Sequence, residues 1–265
     1  MLLKKLLPGE WKAIGWKTAL SVFSLAGSLV ILGLTGSYQG TLSCTALNIT
    51  MENDEHNYFL TRDDVISIVR EVAGGPVVGL PCREISIAEM EKVLDANPYV
   101  KEAEVWKELD ASLDVHVELR RPLARLIPNE GESFYLDHNM SKVPVSPAFT
   151  ANVILIRGPF QENLEPRDTI FDPLISGLKE FLETVDRDPL FSAMISEVVV
   201  NPGGDLVLYP ELGNIPVEFG DAGDSPQKFE DIRKFYMEIL NRAGWDSYSK
   251  ISVKYKDQVV AVRAK

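Results

Sequence analysis

Residues 97–124 read NPYVKEAEVWKELDASLDVHVELRRPLA, and their reading decides the fold. Two β-strands are written here, 100–107 and 112–119, joined by a tight polar turn at 109–111. In the second, Leu113, Val115, Val117 and Leu119 alternate with Asp114, His116 and Glu118, the period of two that marks a sheet with one buried face. Ahead of the pair, Asn97-Pro98 ends any preceding helix, because the proline ring disfavours helical backbone in the residue before it. Behind it, Arg120 and Arg121 have an excess of the chain's own carboxylates to pair with, and Pro122 removes a backbone donor. Residues 118–124 therefore read as a stiff junction that sets the angle between two domains.

Working upstream, 60–65 (LTRDDV) offers Thr61 as helix N-cap with Asp64 three residues on, while Leu60 and Val65 form a hydrophobic staple. Val65, Ile68, Val69 and Val72 recur at helical spacing to about Ala73, and Gly74-Gly75 supplies the stop. The device repeats at 85–90 (ISIAEM), where Ser86 and Glu89 suit a capping box and Ile85 and Met90 a staple. This second helix runs to about Ala96 with Ile87, Met90 and Leu94 as its inward stripe. With a strand at 46–51, the order is strand, helix, helix, strand, strand: a small α+β module whose helices cover one face of the sheet.

That order, the segment Asn97-Pro98-Tyr99-Val100 entering the strand pair, and the closing Arg121-Pro122-Leu123-Ala124 resemble a POTRA domain. A POTRA domain just outside a single membrane helix and followed by a β-rich domain resembles the FtsQ/DivIB family of bacterial cell-division proteins. The resemblance extends to the last strand. Phe134-Tyr135-Leu136-Asp137 with the return Lys142-Val143 looks like the family's entry to the second domain, the turn falling to Asn139 in a left-handed conformation in place of the usual glycine. The strand 153–156 ending at Gly158-Pro159 looks like the family's first core strand.

The rest of the second domain reads as a mixed antiparallel sheet with helices on one face. Asp172-Pro173 caps a helix with Leu174, Leu178, Phe181 and Val185 on one side. Segments 195–200, 205–209 and 215–219 make a meander, with Asn201-Pro202-Gly203-Gly204 as a turn. Ser225-Pro226 opens a final helix with the stripe Phe229, Ile232, Phe235, Tyr236, Ile239 and Leu240, stopped by Gly244. Two last strands, 250–255 and 258–263, follow. The division expected is 1–18 cytoplasmic tail, 19–38 transmembrane helix, 39–124 POTRA-like domain and 125–265 β domain.

The membrane helix rests on 19–36 (ALSVFSLAGSLVILGLTG), which lacks any charge and with its flanks covers the roughly 20 residues that span a bilayer core. Lys4, Lys5, Lys12 and Lys17 precede it and hold the amino terminus in the cytoplasm by the positive-inside rule, with Trp11, Trp16 and Tyr38 at the interfaces. A cleaved signal peptide is the competing reading, against which stand the length of the run and the lack of an A-x-A site. Lipidation at Cys44 ranks lower, since Thr41 stands where a large aliphatic residue would be wanted.

The chain carries a net charge of −12, its first 17 residues +3 and the remainder −15. So acidic an exported part repels nucleic acid and anionic headgroups and leaves protein as the expected partner. The only two cysteines, Cys44 and Cys82, sit in a tether and a loop; one disulfide is open to them in an oxidising compartment, and neither position requires it. Three histidines, His56, His116 and His138, stand alone, and no zinc spacing, nucleophile elbow or phosphate loop is present in the sequence. Neither an enzyme, a cofactor nor a metal site is expected.

The carboxy-terminal strands are the candidate site. Ile251, Val253 and Tyr255 alternate with polar residues, and Val259, Val260, Val262 and Arg263 follow almost to the end, as expected for an edge strand whose unpaired backbone groups accept another chain. The family resemblance implies that these strands receive the small coiled-coil proteins FtsB and FtsL. It places the family's strand tyrosine at Tyr255, and a further aromatic position on Arg263, which is not aromatic. The implied function is a non-catalytic scaffold in the inner membrane at the division septum, linking divisome assembly to septal peptidoglycan synthesis. The alternative is a POTRA-bearing periplasmic chaperone or translocation component for outer-membrane or secreted polypeptides.

Overall fold

A computed structural model describes residues 21, 23–28, 42–52, 58–160, 173–211, 213, 215–256 and 258–264. It resolves into two compact units. One comprises Met1–Thr50, Val65–Val93 and Glu104–His116, the other Met51–Asp64, Leu94–Ala103 and Val117–Lys265. The helix expected at 19–38 lies largely outside the described residues; residues 21 and 23–28 are helical. Among the described residues, no helix is long and apolar enough to cross a membrane.

The first elements form as their sequence dictates. Strand β1 (Leu47–Glu52) precedes helix α1 (Arg62–Ala73). Thr61 Oγ1 accepts from the Asp64 amide at 3.3 Å while the Asp64 carboxylate accepts from the Thr61 amide at 2.8 Å, a reciprocal capping box. The Asp64 carboxylate also accepts from the Thr61 hydroxyl at 2.6 Å, and that bond together with the one from the Thr61 amide holds the Asp64 carboxyl below the usual carboxylate range. Gly74, at φ 72°, takes the left-handed turn that ends α1, and the Gly75 amide returns to the Arg70 carbonyl at 2.9 Å. Helix α2 (Ile87–Ala96) buries Met90 and Leu94, with Ile87 half-buried. Strands β2 (Val100–Lys107) and β3 (Leu113–Leu119) complete a three-stranded sheet of order β1-β3-β2. Every second side chain of β3 from Leu113 to Leu119 is buried.

Residues 118–124, read from the sequence as a stiff junction, are mostly strand. Only Arg120 and Arg121 separate β3 from β4 (Pro122–Pro128), and Pro122 opens that strand. A first strand position tolerates the missing donor. Arg120 and Arg121 do pair within the chain: Arg121 with Asp186 at 3.2 Å, and Arg120 with Asp137 at 2.5 Å, both partners of the second pair being buried. Arg120 Nε also donates to the Val100 carbonyl.

Strands β4, β5 (Phe134–Asp137), β6 (Lys142–Pro144), β7 (Ile154–Gly158), β8 (Ile195–Val200), β9 (Leu206–Pro210), β10 (Val217–Gly220), β11 (Tyr248–Ser252) and β12 (Val260–Arg263) form one nine-stranded mixed sheet. Its order is β12-β11-β10-β9-β8-β7-β4-β5-β6, with β4/β7, β7/β8 and β10/β11 parallel. The fold class is α+β. In the β5–β6 turn the left-handed residue is Met140, at φ 60°, not Asn139. The Asp137 carboxylate accepts from the Asn139 and Ser141 amides, and that Asx-type turn moves the positive φ one residue on.

Helices α3 (Pro173–Arg187), α4 (Pro189–Met194) and α5 (Ser225–Lys234) supply Leu178, Phe181, Val185, Phe191, Phe229 and Ile232 to one core with the inward residues of the sheet. The expected Asp172 cap and the Leu174 side chain lie outside the described residues. Helix α4 was not expected; Asp188 caps it through the Leu190 amide, with Pro189 at its first position. After α5 the helix widens into a π-helical stretch, Phe235–Leu240. The wider turn shifts the inward phase, so Leu240 stays buried while Ile239, expected in the stripe, is exposed. Gly158 lies where a Cβ would meet Val200 Cβ and Phe160 Cζ at 2.9 Å, so only glycine lets β7 and its neighbour approach.

Arg120→Met should lower the unfolding free energy of the nine-stranded unit by about 3–5 kcal/mol, since it strands a buried carboxylate. Urea unfolding followed by Trp fluorescence measures it, and a loss below about 1 kcal/mol would show that the pair is not structural.

Candidate functional site

The two terminal strands start and stop at other residues than the alternation suggests. Strand β11 begins at Tyr248, and a register shift between Tyr248 and Lys250 breaks the period of two that placed its start at Lys250. Tyr248 packs against the core, its ring 5.4 Å from Phe235 and edge-on. The strand ends at Ser252, so Tyr255 lies in the connecting turn, 54% exposed. Strand β12 is Val260–Arg263, shorter than the segment 258–263, and it is the first strand in the sheet order: among the described residues its one strand partner is β11, through Ser252↔Val260, Ile251↔Ala261 and Lys250↔Val262.

Of the seven residues expected to act together, Tyr255 stands apart in the turn and the other six fall into two sets. Ile251 and Val253 are core residues, 0% and 2% exposed, and the amides of both bond β10 carbonyl groups or their neighbour, Ile251 to Pro216 and Val253 to Glu218. Their side chains are unavailable to a partner and hold β11 in the sheet. Val259 is half-buried against the same core, with Ala261 beside it. Val260 and Val262, at 43% and 46%, turn outward along β12 with Arg263 exposed at its end. What the strand offers is a backbone edge with two valines on its open face.

Ion pairs line the outer face of the sheet that leads to this edge. Arg157 pairs with Glu197 across β7 and β8, and Glu218 with Lys250 at 2.8 Å across β10 and β11. Lys254 meets Asp205 at 2.5 Å, and that bond raises the lysine's pKa above its ordinary value. Glu218, Lys250 and Ser252, between the core and the open edge, were missed from sequence; their place follows only from the pairing of β10 and β11, which are far apart in the chain.

On the helical side, Leu190, Phe191, Met194, Tyr236, Met237 and Trp245 line an apolar groove of about 260 Å³. Burial pushes the Tyr236 hydroxyl up to about 12. Of the histidines, His116 lies on β3 and His138 in the β5–β6 turn, 3.9 Å from Asp186, while His56 lies outside the described residues. Among the described residues no group of three or more His, Cys, Asp or Glu side chains is placed to hold a metal.

Comparison with known families gives two matches. Residues 42–118 match the POTRA-like domain, and residues 121–262 match the family described as FtsQ/DivIB, C-terminal related. A search of curated proteins returns no match. The second family match spans more than half of the chain and contains the nine-stranded sheet up to Val262, one residue short of the end of β12; the chain belongs to the FtsQ/DivIB family.

Proposed function

We propose that this chain is a non-catalytic, single-pass scaffold of the division machinery that captures a strand of an FtsB- or FtsL-like coiled-coil protein on β12. Its membrane helix at 19–38 keeps the amino terminus in the cytoplasm, a POTRA-like domain at 39–124 follows outside, and the β domain at 125–265 carries the capture site. Recruitment at the septum then couples assembly to peptidoglycan synthesis. The observation that carries this reading is the edge of β12, a strand paired on one side only among the described residues and bearing outward Val260 and Val262. An added strand gains main-chain hydrogen bonds from such an edge and reads alternate side chains for specificity. The terminal segment 250–265 is moreover basic, a net +4 in a chain of net −12, which favours an acidic partner strand.

The buried positions of Ile251 and Val253 decide how the site is tested. Ending the chain at Lys250 would remove the buried core residues Ile251 and Val253, whereas ending it at Lys256 keeps both and removes β12 with the half-buried Val259 ahead of it. Calorimetric titration of the chain with the soluble coiled-coil partners should give binding that weakens at least about 100-fold on truncation at Lys256 or in Val260→Pro. Unchanged affinity in both, with the fold intact by circular dichroism, would sink the edge-strand reading.

Hydrogen exchange supplies an independent check. In the free chain the β12 amides should exchange faster than those of β9 and β10, and partner binding should slow them by more than about tenfold. Slowing confined to other strands would move the site away from β12.

A further inference from the structure

Leu42–Cys44 and Leu80–Cys82 run antiparallel as a short ribbon centred on Ser43 opposite Pro81. The Cys44 amide donates to the Leu80 carbonyl and the Cys82 amide to the Leu42 carbonyl, each at 2.8 Å, and the Gly79 amide returns to the Cys44 carbonyl at 2.8 Å. Side chains alternate across such a ribbon, so Ser43 and Pro81 share one side and Cys44 and Cys82 the other. Both cysteines are buried, at 2% and 5% exposure, and the chain has no other cysteine with which either could pair. They occupy a diagonal of the ribbon, not the separate tether and loop that the sequence suggests.

We propose that Cys44 and Cys82 form a disulfide that staples the segment leading into β1 onto the loop ahead of α2, closed by thiol–disulfide exchange with an oxidised disulfide outside the cytoplasm. One cysteine thiolate attacks the external disulfide and expels half of it as a thiolate. The other cysteine thiolate then attacks the mixed disulfide and expels the second half. The chain loses two protons and two electrons, and the external disulfide gains them.

Diagonal neighbours in a ribbon have Cα atoms roughly 7–8 Å apart, and a disulfide wants about 5.5–6 Å. Closure thus needs a shift of about 2 Å. The turn beside Cys82 can supply it, because Gly79 sits at φ 94° and the Leu80 amide closes on Val77. In this structure both are free thiols, Cys44 Sγ donating to the Ala46 carbonyl at 3.3 Å, and burial raises the Cys44 pKa above its ordinary value. A buried thiol of raised pKa reacts slowly, which places closure in the folding chain, before the thiols are covered, and protects the bond afterwards. On the proposed membrane-anchored reading, on which the oxidising compartment rests, the bond lies where tension from the anchor enters the folded unit. A covalent clasp there replaces three backbone hydrogen bonds as the element that resists it.

The test uses the full chain in detergent, unfolded in urea with reductant and refolded into a reduced and oxidised glutathione buffer, then alkylated and weighed intact. The expected product is a monomer lighter by about 2 Da with no alkyl adduct. Reductant should lower its melting midpoint by about 10 °C and leave a Cys44→Ala/Cys82→Ala variant unmoved. Two alkyl adducts, a glutathione adduct or a crosslinked dimer after refolding would overturn the pairing. Alkylation in intact cells separates the two readings: a chain that closes on refolding and yet carries two free thiols in cells keeps its disulfide-forming pair and loses the exported location.

Discussion

One buried carboxylate organises the entry to the nine-stranded sheet. Asp137 accepts from the Arg120 guanidinium through one oxygen and from the Asn139 and Ser141 amides through the other, so it satisfies a buried cation and closes the β5–β6 turn at once. Arg120 in turn donates to Val100 through Nε, and its amide bonds Tyr99. Burying two charges is costly unless geometry and extra hydrogen bonds offset the desolvation, and here every oxygen of the carboxylate is used. The consequence is a fixed starting point for β4. Because β4 lies between β5 and β7, its position propagates through parallel pairing into the strands that follow.

A fold with so many strands has edges to manage, and they are managed unequally. The β2 edge is capped from its own helix: Glu91 accepts from the Val105 amide and Asp95 from the Ala103 amide, each at 3.0 Å. Spaced four apart on α2, the two carboxylates fall over alternate amides of the strand, the donors that an incoming strand would need. The β6 edge is three residues long and contains Lys142 and Pro144, both of which discourage strand addition. Strand β12 has valines facing outward and no proline. The contrast is what makes an open β12 informative, since an unprotected edge is a liability unless something occupies it.

Local signals were legible in the sequence and phase-dependent ones were not. The Thr61–Asp64 box, the Gly74 stop and the alternation of β3 are written within a few residues, and each appears as read. The internal pairing of Arg120 and Arg121 was legible from charge balance, although Asp137 and Asp186 as partners were not. Features that need one residue of offset escaped. The π-helical turn put Ile239 outside, the Asx-type turn moved the left-handed residue from Asn139 to Met140, and the bulge after Tyr248 hid the true start of β11. At the candidate site the same limit applies. Alternation marks Ile251 and Val253 as one face and the later valines as another, but which face meets the core is settled by pairing with β10, from residues some thirty positions earlier.

Charge adds a different constraint on what an edge such as β12 can accept. The chain as a whole repels acidic surfaces, yet its last residues are basic, and Lys250 and Lys254 are already held by Glu218 and Asp205. Exposed pairs of this kind contribute little to stability, and screening at physiological salt confines their field to about 8 Å. Their effect is therefore local: they neutralise the carboxylates nearest the edge and leave the positive end of β12, at Arg263, as the charge an approaching strand meets first. Electrostatic complementarity of that sort sets encounter rate and register more than affinity. On the proposed reading, a captured strand would draw its binding energy from backbone bonds and the two outward valines, and its direction from the charge.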